Sequence, residues 1–237
     1  MYESSVLVVS FVAAAAASIV GFGIGSLLTP LLALQFEMPV AVAIVSVPHA
    51  AATALRCWRL RRAIDRTVLG RFGLLSAAGG LAGALLFTRI GGAALTRTLG
   101  ALLVLTAVAG LSGFAARWRP HGAMVWLLGG LSGLFGGVAG NQGGLRAAAL
   151  SSFGLVPAAF VATSTATGLL VDAARMPLYA WHRGGDVLDA MPIVAMATAG
   201  VVAGTVAGEV VLRRIPPETF RRVVSATVGA LGLWLLR

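Results

Sequence analysis

The chain has 237 residues, 58% hydrophobic and 11% charged, with a mean hydropathy of +0.93. A soluble domain carries about twice that share of charge, and apolar runs recur from end to end, so the sequence reads as an all-α polytopic membrane protein with no room for a soluble domain. The net charge of +10 comes from arginine alone, and those arginines fall mostly between apolar runs, which points to membrane topology rather than nucleic-acid binding.

The opening MYESS has no basic region, so no cleaved signal peptide is expected. Apolar runs between polar breaks predict elements at 5–36, 39–55, 69–88, 98–116, 123–155, 158–181, 190–212 and 220–236. The first and fifth are too long, because a helix over either would measure about 48 Å against a hydrocarbon core of about 30 Å. Each is also interrupted, by GFGIGS at 21–26 and by GVAGNQGG at 137–144. Both are therefore expected to be broken, with two half-helices around an unwound centre. The stretch 56-RCWRLRRAIDR-66 reads as a cytoplasmic anchor in contact with anionic lipid, and its Cys57, the single cysteine, excludes an internal disulfide.

A shift of 118 positions lays Gly25 on Gly143, Leu27 on Leu145, Pro39 on Pro157 and Ser46 on Ser164, and a shift of 125 lays Gly79 on Gly204 and Arg97 on Arg222. Ordered matches at nearly constant offset read as two four-element membrane repeats, 1–116 and 117–237. If all eight elements cross, the two sides carry ten and six arginines. If the broken elements instead return to the side they entered, loops 56–71, 117–119 and 213–222 share twelve, leaving Arg89, Arg97, Arg183 and Arg237 opposite. The second arrangement follows the positive-inside bias better and makes the repeats inverted; the first stays open.

Unwound backbone within a membrane persists where it is buried in protein or lines a cavity. There, free N–H groups at half-helix starts suit an anion. One such centre is Gly21, Gly23, Gly25 and Ser26; the other is Gly140, Asn141, Gln142, Gly143 and Gly144. Close packing of small residues is the alternative reading of the first, whereas two primary amides add nothing to packing in the second. Arg146 follows within an apolar run and needs a partner, a cavity, a substrate or a route to the interface. Asp172 and Arg175 lie three apart on one helix face and can pair, either to hold helices together or to take part in coupling. Thr163 and Ser164 open the sixth element, and Ser46 occupies the matching place in the second, three residues before His49. Hydroxyls there commonly bond back to their own helix, while His49 can titrate near neutral pH. Asp172, His49 and Glu209 are the candidate intramembrane proton carriers. His49, His121 and His182 are far apart and lack ligand-spaced partners, so neither a metal nor any other cofactor is expected.

The opening 21-GFGIGSLLTPLLAL-34 with Pro39, its second copy 133-GLFGGVAGNQGGLRAAAL-150, and 160-FVATSTATGLLVDAARMPLY-179 together resemble the sulfite exporter TauE/SafE (TSUP) family of membrane transporters. The resemblance spans essentially the whole chain, though GFGIGS stands where the family commonly has a glycine triplet. It implies a prokaryotic inner-membrane carrier of a small anion such as sulfite, a sulfonate or another organosulfur or carboxylate anion.

No nucleotide-binding signature is present, so H+ or Na+ coupling, or the substrate gradient itself, is expected to drive transport. An intramembrane enzyme would need a base beside a nucleophile, for which only Ser46 and His49 offer themselves. An accessory subunit would explain the spans but not two broken elements.

Overall fold

The computed structural model describes residues 2–20, 23–113, 118–140, 143–211 and 217–237. Every regular element among them is helical: α1 Tyr2–Val20, α2 Ile24–Leu32, α3 Met38–Leu60, α4 Arg66–Phe87, α5 Gly92–Leu111, α6 Ala123–Ala139, α7 Gly143–Leu150, α8 Pro157–Asp189, α9 Met191–Val211 and α10 Pro217–Leu235. By length and composition, four described helices suffice to cross a membrane: Met38–Ala63, Arg66–Phe87, Gly92–Leu111 and Met191–Gly208. The chain is thus an all-helical polytopic membrane protein. Leu74, Leu81 and Leu85 on α4, Leu105 on α5 and Val206 on α9 stay exposed, as side chains facing lipid do.

The two overlong runs each resolve into a pair of helices. α1 stops at Val20 and α2 starts at Ile24; α6 stops at Ala139 and α7 starts at Gly143. Gly23, with φ 142°, precedes α2, and Gly140, with φ 70°, closes α6 by donating its N–H to the Gly136 carbonyl at 3.1 Å. A side chain is strained at either φ, so glycine sets where these helices end. Gly21, Asn141 and Gln142 lie outside the described residues.

Other boundaries differ from the hydropathy reading. The second element runs on to Leu60, which places Arg56 inside α3 rather than in a loop. The fourth begins at Gly92, so Arg97 is helical too. The sixth continues to Asp189, bent at Arg183, where φ is −134° and ψ 16°. Hydropathy ends an element at its first polar cluster, whereas the backbone ladder continues while φ and ψ allow it.

α6 and α7 fold back on each other. Ser151, just after α7, donates to the Trp118 carbonyl at 3.5 Å, and the Phe153 ring meets Trp126 edge-on at 6.0 Å. The chain therefore leaves this pair beside the place where it came in.

The helices pack reciprocally: α1 against α9, α6 against α4, α5 against α10, and α3 against α8. Small residues permit the closest of these approaches. A Cβ on Gly133 or Gly137 of α6 would overlap the α4 backbone at Ser76 and Gly80, and one on Gly204 would overlap Phe11 of α1. Backbones that touch in this way are a standard means of joining helices in lipid. α3 and α8 run antiparallel, since His49 reaches Asp172 while the Asp65 N–H reaches Thr163 at 3.0 Å. These two helices carry much of the buried polar set, with Ser46, Thr53 and Arg56 on α3 and Asp172 and Arg175 among those on α8.

Candidate functional site

The two breaks meet. A Cβ on Gly25, in the first turn of α2, would overlap the carbonyl oxygen of Gly140 at the end of α6. Gly23 faces α1, where a Cβ would stand 3.5 Å from the Ala13 carbonyl oxygen.

The last carbonyls of a helix are open to donors from outside it. Arg175 Nη1 donates to the Gly136 carbonyl at 2.5 Å and the Tyr179 hydroxyl donates to that of Gly137 at 2.5 Å. Both donors come from α8, and Tyr179 is held from behind by Phe87, the ring centroids being 4.6 Å apart. Arg175 also pairs with Asp172 Oδ1, with Nε at 3.0 Å and Nη2 at 2.8 Å. Asp172 Oδ2 lies 2.7 Å from His49 Nδ1 on α3, and the Thr53 hydroxyl is 3.5 Å from that same nitrogen. One carboxylate thus ties the two middle helices to the end of α6. Positions 172, 175 and 179 recur at helical spacing, so a single face of α8 presents all three.

About two helical turns nearer the start of α8 lies a second group. Arg146 Nε donates to the Ser164 hydroxyl at 3.0 Å. Its guanidinium fits a notch at Gly168, where a Cβ would stand 3.0 Å from Nη1. Arg56 projects from the face of α3 that also carries His49 and Thr53, at the i, i+4, i+7 positions. Among the described residues the buried charged side chains are Arg56, Arg146, Asp172 and Arg175. Arg146 and the Asp172–Arg175 pair thus meet on one helix, α8.

The other expected residues are placed elsewhere or spent locally. Ser46 donates back to the Ala43 carbonyl at 2.6 Å. Thr163 is engaged by the Asp65 backbone, and Gly144 faces Thr106 of α5. Ser26 and Gly143 are buried near the tips. Three participants were not singled out from the sequence: Arg56, Gly168 and Tyr179. The signal for Arg56 was its helical spacing from His49; that for Tyr179 was its spacing from Arg175. Among the described residues no group of His, Cys, Asp or Glu is arranged to hold a metal ion.

Compared with known families, the chain matches the model described as Sulfite exporter TauE/SafE over residues 6–235. No curated protein and no solved structure matches it.

Proposed function

The chain belongs to the TauE/SafE sulfite exporter family, and from that premise we propose that it is a secondary transporter carrying a small anion by alternating access around the meeting point of its two breaks. A transporter family with a multi-pass helical chain makes membrane transport of an anion the activity, rather than catalysis. The finer reading rests on one observation, the contact of Gly25 with Gly140, together with the buried charged residues Arg56, Arg146, Asp172 and Arg175.

The two units, 1–116 and 117–237, act as inverted repeats. Reciprocal packing supports this, since the first helix of each unit lies on the third long helix of the other, while second meets second and last meets last. The return of α7 to the start of α6 supports a re-entrant hairpin for the second break. A matching hairpin from the opposite face would bring the two tips together at mid-membrane, where transporter sites of this build lie.

In this reading Arg146 and Ser164 contact the substrate, and Asn141 and Gln142 take part in its recognition. Arg175 and Tyr179 hold the hairpin end, and His49 with Asp172 couples movement to H+; a Na+-driven carrier would dispense with that step. The protein sits in a prokaryotic inner membrane.

Flux of radiolabelled sulfite, sulfonates and carboxylates into proteoliposomes tests the proposal. Saturable flux that Arg146→Ala abolishes in a folded protein is the expected result. Absence of flux for every anion from wild-type protein would overturn it.

A further inference from the structure

A groove at the surface is walled by both arms of the first break. Val8 and Val12 of α1 line one side, Leu27 and Leu31 of α2 another, and Leu231 and Trp234 of α10 close the third. Its volume is about 530 Å³, within the range of about 300–1,000 Å³ for sites that hold small ligands. Among the described residues its lining is apolar apart from Thr227 and the Trp234 indole. Val8, Val12 and Trp234 are 58%, 49% and 46% exposed, so the groove opens away from the packed helices. Along α2 it begins at Leu27, two residues after Gly25.

Water needs about two to four polar partners to stay in a cavity, which this lining does not supply. A second copy related by a two-fold axis would set groove against groove and fill neither. An acyl chain does fill it. Lipid tails are as apolar as leucine, so the groove offers shape and dispersion but little selectivity. Selection has to come from the headgroup end. Trp234 marks that end, being a residue type that favours the membrane–water interface. A second cavity, of about 280 Å³, shares Trp234 and is lined by Glu37 and Thr96. The exposed Arg237 lies one turn further on, its backbone N–H donating to the Trp234 carbonyl at 3.4 Å. The rim thus offers a carboxylate and a guanidinium close to one tryptophan. A phosphoethanolamine headgroup carries the complementary pair, a phosphate for the arginine and an ammonium for the glutamate. A phosphoglycerol headgroup has only the negative charge, which Glu37 repels.

We propose that this groove binds one acyl chain of an ethanolamine phospholipid, with the headgroup held by Glu37 and Arg237. The bound chain touches α1, α2 and α10 together, so it braces the first break from the lipid side. This goes beyond the transporter reading and does not depend on which anion is carried.

Native mass spectrometry of the full-length chain in detergent, titrated with dioleoyl phosphatidylethanolamine or dioleoyl phosphatidylglycerol, tests the site, with melting measured in parallel. Wild-type protein is expected to retain one phosphatidylethanolamine at least about tenfold more tightly than phosphatidylglycerol, and to melt at a higher temperature with it. Val12→Trp fills the groove from an exposed position and should lose both the lipid and the rise in melting. Glu37→Gln should bind the two lipids alike, and Arg237→Gln should weaken both. Equal retention of the two lipids by wild-type protein would overturn the site. So would a folded Val12→Trp protein that keeps its lipid, or a Glu37→Gln protein with an unaltered preference. Glu37 is exposed, so its variant decides the matter if Val12→Trp does not fold. Lipid retention without any rise in melting would overturn the brace, and a dimer that carries no lipid would give the groove to a second copy. These readouts do not involve flux, so they stand or fall apart from the transporter reading.

Discussion

Arg175 donates a hydrogen bond to the carbonyl oxygen of Gly136, which also accepts the Gly140 N–H, so a side chain of α8 adds a second donor where α6 ends. The same guanidinium neutralises Asp172, which in turn holds His49. A change in the protonation of Asp172 is therefore two contacts away from the end of α6, and one at His49 is three. This is a direct physical connection between a titratable pair and a break.

Replacing Arg175 by methionine removes both functions and leaves a fully buried carboxylate with His49 alone. Removing one partner of a buried pair typically costs about 3–5 kcal/mol. Arg175→Met is expected to lower the melting temperature sharply in detergent, and adding Asp172→Asn should restore part of the loss. Tyr179→Phe deletes a single hydrogen bond to Gly137 and should cost about 1–3 kcal/mol. Strictly additive losses in the Asp172/Arg175 double variant would contradict the pairing.

The Gly25–Gly140 contact leaves no room for a methyl group. Gly25→Ala is expected to force the tips apart, destabilising the protein by about 1–3 kcal/mol, the range for overpacking. Flux should fall with it. Gly184→Ala is the control, because a Cβ there meets nothing within 4 Å. A Gly25→Ala protein with wild-type melting and flux would remove the tips from the argument.

Much of this arrangement was legible in the sequence, for reasons that particular residues make plain. The breaks could be read because glycines cluster where an apolar run exceeds the membrane, and Gly23 and Gly140 do adopt backbone angles that other residues avoid. The Asp172–Arg175 pair follows from helical spacing alone. Arg56 was hidden by its neighbours: a reading based on charge density assigns 56–66 to a loop, yet α3 continues to Leu60 and the first arginine is buried. Burial of a charged residue is set by tertiary packing, and α3 packs on α8 more than a hundred residues away in sequence, which local pattern does not report. Likewise the tasks of Arg175 and Tyr179 depend on where α6 ends in space, and no local feature of α8 encodes that.

His49 is the residue through which a proton would enter the network. Glutamine at this position can still donate to Asp172 but cannot take up a proton near neutral pH. Wild-type flux is expected to accelerate under an imposed pH gradient, whereas His49→Gln should transport at a rate that ignores the gradient. Equal acceleration of both proteins would assign coupling elsewhere, and acceleration of wild-type flux by a Na+ gradient alone would favour the cation.

Orientation is open to a direct test. With re-entrant hairpins, the loops at 56–71, 117–119 and 213–222 share a side with twelve arginines, against four on the other. Setting aside Arg56, which is buried in α3, leaves eleven, so the bias that places this side in the cytoplasm survives. The chain's single cysteine makes labelling simple. On a Cys57→Ser background, Arg62→Cys is expected to resist a membrane-impermeant maleimide added to whole cells and to react once the membrane is opened. Arg237→Cys, at the exposed end beyond α10, should react from outside. Eight crossings, by contrast, place positions 62 and 237 on the same side, so matching accessibility of the two cysteines would exclude the hairpins and the inverted relation between the repeats.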